Sequence, residues 1–92
     1  MAVLQIGAGG VGWVVAHKAA QNNEVLGDIT IASRTIGKCE KIIESIQKKN
    51  NLKDSTKKLD ARAVNADDVD SLVALIKEVQ PDLVINAGPP WV

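Results

Sequence analysis

A doubly wound α/β fold is what these 92 residues predict: a parallel sheet of about four strands in the order 3-2-1-4, with helices on both faces. Three observations lead there. Apolar runs at 2–6, 29–32 and 83–86 lack polar alternation, as strands covered on both faces of a parallel sheet do. The stretches between them carry apolar residues at helical spacing. The first apolar run also passes through Gly7-Ala8-Gly9-Gly10-Val11-Gly12 directly into a helical run, 10–21.

A strand, a glycine turn and a helix form the context in which Gly-x-Gly-x-x-Gly binds a dinucleotide. Each glycine has its own task. Gly7 lets the chain turn sharply out of the strand, Gly9 lets the backbone approach a diphosphate, and Gly12 lets the helix pack on the sheet. The N–H groups from Gly10 and Val11 onward, at the helix start, then face an anion that the helix dipole favours. On the helix itself, Val11, Gly12, Val15, Ala16 and Ala19 gather on the side expected to face the sheet. Trp13 and His17 fall on the other side, one turn apart; His17 reads as a surface histidine, and Trp13 as a side chain that packs on a further part of the protein or a partner subunit.

Residues 22–28 read as a polar loop, and Ile29-Thr30-Ile31-Ala32 as the second strand. In this fold the second strand ends beside the adenosine ribose, about 20 residues past the glycine turn, which is where Ser33-Arg34-Thr35 stands. A free ribose 2′-hydroxyl calls for an acid at that point, and there is none. Ser33 and Thr35 offer hydroxyl groups and Arg34 a planar fork suited to a phosphate, so the pattern asks for NADP(H). Lys38, one helical turn on, can add a second positive charge.

The second long helix is expected over 36–49, with Ile36, Cys39, Ile42, Ile43 and Ile46 as its buried stripe and Cys39 in the core rather than acting as a nucleophile. A solvated loop follows over 50–58, and then a third strand over 60–64. Asp67 is expected to cap the next helix, with Asp70 in its first turn, and also lies where a side chain can contact the adenine. Val69, Leu72, Val73, Ile76 and Val79 define that helix, and Pro81 ends it. The fourth strand, 83–86, leads into a turn, so Asn86, Ala87 and Gly88 are expected near the middle of the cofactor, toward its nicotinamide ribose.

Composition narrows the partners. Formal net charge is +0, which gives no general attraction to nucleic acid or anionic membrane. Cys39 stands alone and can form no internal disulfide, which fits a reducing compartment, and cytoplasm is the expected location. No apolar run reaches the roughly 18 residues of a membrane span. His17 has no second histidine or clustered carboxylates near it in sequence, so no metal site is expected.

The ordered set Gly7–Gly12, Ala32-Ser33-Arg34-Thr35 with Lys38-Cys39, Asn65-Ala66-Asp67-Asp68 and Val84–Pro90 resembles the start of a saccharopine dehydrogenase-type reductase, nearest the polyamine-forming members of that family. The resemblance spans the chain and implies a Rossmann-type NADP-binding half-domain at 1–92, with the substrate and dimerisation domain elsewhere. It also implies an NADPH-dependent reductive condensation of aspartate β-semialdehyde with a diamine, carried out by a homodimer. The family's substrate-binding residues lie in a later domain, so none can be carried over, and the catalytic residues stay unassigned. Two other readings stay open. Another NADPH-dependent reductase, of the saccharopine or shikimate dehydrogenase type, can place a polar-Arg-Thr turn after its second strand, and a non-enzymatic dinucleotide sensor can use the same half-fold. FAD and S-adenosylmethionine proteins share glycine turns but commonly keep an acid after the second strand.

Overall fold

The computed structural model describes residues 1–65 and 67–87. Its elements run β1 (Ala2–Ile6), α1 (Gly10–Gln21), α2 (Asn23–Leu26), β2 (Asp28–Ser33), α3 (Ile36–Lys48), β3 (Leu59–Ala63), α4 (Val69–Val79) and β4 (Leu83–Asn86). The four strands form one sheet in the order β3-β2-β1-β4. Each neighbouring pair is parallel, with Leu4 opposite Thr30 and Val84, and Ile31 opposite Ala61.

Two apolar layers explain why β1 and β2 have little polar alternation. On one face Val3, Ile29 and Ile31 pack with Ala16, Ala19 and Ala20 of α1 and with Cys39, Ile42 and Ile46 of α3. On the other, Leu4, Ile6 and Ala32 pack with Val64 and with Leu75 of α4. A strand that feeds both layers has no solvated face on which to place polar residues. β3 and β4 are the edges, and Leu83 and Val84 of β4 are 40% and 45% exposed.

Several expectations need correction. The stretch read as a loop at 22–28 contains the one-turn helix α2, which ties down the segment at 50–58: Asn23 Nδ2 donates to the Asp54 carbonyl at 2.8 Å, and Asp54 N–H to Asn23 Oδ1 at 2.7 Å. Val11 and Ile36, expected in the buried stripes, are 67% and 44% exposed. Both lie in the first turn of their helices. β3 begins and ends one residue earlier than expected. α4 is capped by Asp68, not Asp67: Asp68 Oδ1 accepts from Asp70 and Ser71 N–H at 3.1 and 3.3 Å. Asp70 stands in its first turn as expected, and Gln80, left-handed at φ 50°, closes it just before Pro81.

His17 is also misplaced by sequence. It is buried, 9% exposed, and Asn51 Nδ2 donates to its Nδ1 at 2.8 Å. The segment after α3 folds back over this side of α1, a long-range contact that helical periodicity does not register. Burial, with Lys49 nearby, holds the imidazole below its ordinary value, so the ring is neutral. Trp13 lies half-exposed against it, ring centroids 5.6 Å apart.

Candidate cofactor site

The carboxyl edge of the sheet gathers the turns that sequence singled out. Gly7 N–H donates to the Ala32 carbonyl at 2.8 Å, Val64 N–H to that of Ser33 at 2.8 Å, and Ala87 N–H to that of Ile6 at 2.7 Å. These bonds carry the parallel ladder past the ends of the strands. The glycine turn after β1, the Ser33-Arg34-Thr35 turn after β2, Asn65 and Asp67 after β3, and Ala87 after β4 therefore lie along one rim. Gly88 lies outside the described residues.

The glycines separate by physical cause. Gly7 has φ 114°, a conformation that L side chains rarely adopt. A Cβ on Gly12 would meet the Gly7 carbonyl oxygen at 2.5 Å and its carbon at 2.9 Å, so only glycine lets α1 pack this closely on the turn. Gly9 is different. Its φ of −81° and ψ of −161° are open to any residue, and a Cβ there meets nothing within 4 Å; Gly10 is equally open. The fold has no need of glycine at position 9. At the start of α1, Gly9 brings no capping side chain, and the first turn holds no acidic residue. By contrast α4 caps its first N–H groups with Asp68 and adds Asp70. An anion at the start of α1 would find a helix N-terminus with no side-chain cap from its N-cap residue.

One residue that sequence reading passed over holds this turn. Gln5, fully buried in β1, donates from Nε2 to the carbonyls of Gly7 at 3.0 Å and Gly12 at 2.9 Å. The signal was a single amide in an otherwise apolar strand, two residues before the turn.

At the end of β2 the side chains divide their work. The Ser33 hydroxyl donates to the Thr35 carbonyl at 2.8 Å, and Ser33 Oγ accepts from Thr35 N–H and from the Cys39 thiol, both at 3.2 Å. Ser33 is thus a brace for the turn more than a free donor. The Cys39 thiol is fully buried, and burial pushes it above its ordinary value, so it stays protonated and packs as a core residue. Arg34 points outward, its side chain 69% exposed, and pairs with Asp67 Oδ2 at 2.7 Å. Asn65 Oδ1 lies 3.5 Å from the same guanidinium nitrogen. Asp67, read from sequence as a cap, is therefore the counter-ion of Arg34. Thr35 is the N-cap of α3 by backbone conformation, without a side-chain hydrogen bond to it, and Lys38 is exposed one turn on.

The model of the saccharopine dehydrogenase NADP-binding domain matches residues 3–92. The chain belongs to this family. Its cofactor is accordingly NADP(H), in keeping with the Arg34 turn. Over 92 residues it is 96% identical to a carboxynorspermidine synthase of Vibrio alginolyticus and 84% identical to one of Vibrio cholerae. Over 89 residues it is 38% identical to a carboxyaminopropylagmatine dehydrogenase of Synechocystis. All or nearly all of the chain is covered in each case, 100%, 100% and 97%. The chain spans only 22%, 22% and 20% of the length of these relatives. In fold it resembles the crystal structure of protein Rv1636 from Mycobacterium tuberculosis H37Rv, with TM-score 0.59 and 22% identity, over 92% of this chain and 68% of that one. That likeness concerns the fold alone.

Proposed function

We propose that this rim binds NADPH and that the intact protein reduces the imine formed between aspartate β-semialdehyde and a diamine, a step of polyamine synthesis. What carries the reading is one edge that holds both a glycine the fold does not need, Gly9, and an outward-facing arginine after β2. Backbone N–H groups from Gly9 to Gly12 take the diphosphate, and Gly7 sets their direction. Arg34 takes the 2′-phosphate, with Thr35 and Lys38 beside it and Ser33 bracing the turn. Asp67 yields the guanidinium to the phosphate and faces the adenine side. Asn86 and Ala87, at the end of β4, lie toward the nicotinamide ribose. NADPH bound here would supply the hydride that reduces the carbon–nitrogen double bond. The names of the Vibrio relatives support the amine chemistry. A cytoplasmic homodimer completes the reading, and the single buried Cys39 fits that compartment.

Titration of the intact protein with both cofactors tests the assignment. A charge-assisted hydrogen bond contributes roughly 1.5–3 kcal/mol, and about 1.4 kcal/mol is tenfold in affinity. Because Arg34 is largely exposed, its loss should sit near the lower end: Arg34→Ala weakens NADPH about tenfold at low salt and leaves NADH nearly unchanged. The NADPH advantage should shrink as salt rises. Asp67→Asn removes the competing anion and should tighten NADPH by up to about fivefold, the range of an exposed pair. Equal losses of NADPH and NADH in Arg34→Ala would mean that Arg34 supports the fold and does not read the phosphate.

A further inference from the structure

Gln5 is an expensive residue for the fold alone. It is fully buried in a strand whose neighbours Val3, Leu4 and Ile6 are apolar, and its Oε1 has no hydrogen-bond partner among the described residues. An orphaned buried acceptor is destabilising, and a methionine or leucine would fill much of the same space without one. The other half of the amide is fully engaged: both hydrogens of Nε2 go to carbonyls, one at each end of the glycine turn. The orientation of the amide follows from this geometry, because two carbonyl acceptors admit only the NH2 group.

We infer that Gln5 is a positioning residue for the cofactor diphosphate. Its amide draws the Gly7 and Gly12 carbonyls inward beneath the turn. The Gly7–Ala8 peptide unit, turned this way, directs its N–H away from the strand, while the N–H of the Gly12–Trp13 unit stays in the helix, donating to the Gly9 carbonyl at 2.8 Å, so the start of α1 is anchored over the turn. The turn is thereby fixed before the cofactor arrives, and less ordering is left for binding to bring about. The inference rests on the proposed diphosphate site at Gly9–Gly12. It adds that this site is set from below by a side chain that never touches the ligand.

The test uses the intact protein with Gln5→Met, which keeps the length of the side chain and removes both donors and the orphaned oxygen. Losing two neutral hydrogen bonds should weaken NADPH and NADH alike, by about tenfold, because the diphosphate is common to both. The cofactor KM should rise by a similar factor, and kcat at saturating cofactor should stay within about twofold of wild type, since no reacting group has moved. A thermal melt without cofactor controls for folding. Gln5→Glu serves as a second variant: protonated, it keeps one donor and should bind with intermediate affinity, and that partial rescue should fade as pH rises and the acid ionises. Cofactor affinity within about twofold of wild type in Gln5→Met would overturn the inference and leave the cofactor site standing. So would a selective loss of NADPH with NADH unchanged. Wild-type protein that binds neither cofactor would overturn the diphosphate site itself, and the inference with it.

Discussion

At Gly9 neither the backbone angles nor any neighbour within 4 Å requires glycine. Its backbone angles suit any residue and its Cβ direction is open. This makes it a cleaner probe of the ligand than Gly7 or Gly12, where substitution meets a positive φ or a backbone clash. Gly9→Val should leave the melting temperature of the intact protein nearly unchanged and abolish measurable binding of NADPH. Calorimetric titration beside a melting curve reads both. A variant that unfolds, or one that binds NADPH normally, contradicts the role given to this position. Arg34 presents the opposite case. Residue type pointed to a phosphate, but only the structure shows the guanidinium held by Asp67 at 2.7 Å. Nothing in local sequence links positions 34 and 67; the pairing of β2 with β3 brings them together.

Elements follow their sequence signals closely where a local pattern governs them. α1 and β4 begin and end where periodicity and the flanking turns put them. The start of α4 shows how far such signals reach. Asp67 and Asp68 are adjacent and chemically identical, so composition cannot choose the cap between them. Backbone conformation chooses: Asp68 is extended, at φ −97° and ψ 102°, and its carboxylate reaches the N–H groups of Asp70 and Ser71. Asp68→Ala should therefore lower stability by about 0.5–2 kcal/mol, while Asp67→Ala, which breaks only an exposed ion pair, should change it by less than about 1 kcal/mol. Chemical denaturation of the two variants side by side distinguishes them; equal effects would contradict the assignment of the cap.

For the molecule as a whole, the sheet order decides what is left uncovered. β1 and β2 are central and buried on both faces, whereas β4 is an edge with Leu83 and Val84 substantially exposed. Beside it Val14, Val15, Leu26 and Ile85 line an apolar hollow of about 310 Å³ between α1 and the sheet. An unpaired apolar edge strand invites pairing with another chain. A polypeptide of residues 1–92 alone should consequently be marginally stable or self-associate, and it should turn over no substrate. Sedimentation velocity across a concentration series, with an assay of NADPH oxidation in the presence of aspartate semialdehyde and a diamine, checks both points. A stable monomer, or measurable turnover, would count against them.

Sequence by itself determined the fold class, the sheet order, the glycine turn and the arginine turn. Each rests on short-range regularity: strands without polar alternation, helical spacing, and glycines a few residues apart. The tertiary structure decided what depends on residues far apart in the chain. His17 is buried because Asn51 reaches it from the segment after α3, and Arg34 is paired because Asp67 follows the neighbouring strand; Val11, on the expected stripe, is 67% exposed. Gln5 belongs between the two groups. It was visible as a polar residue in an apolar strand, but its meaning lay in the folding of the glycine turn back over the strand end, where one buried amide meets two carbonyls at once.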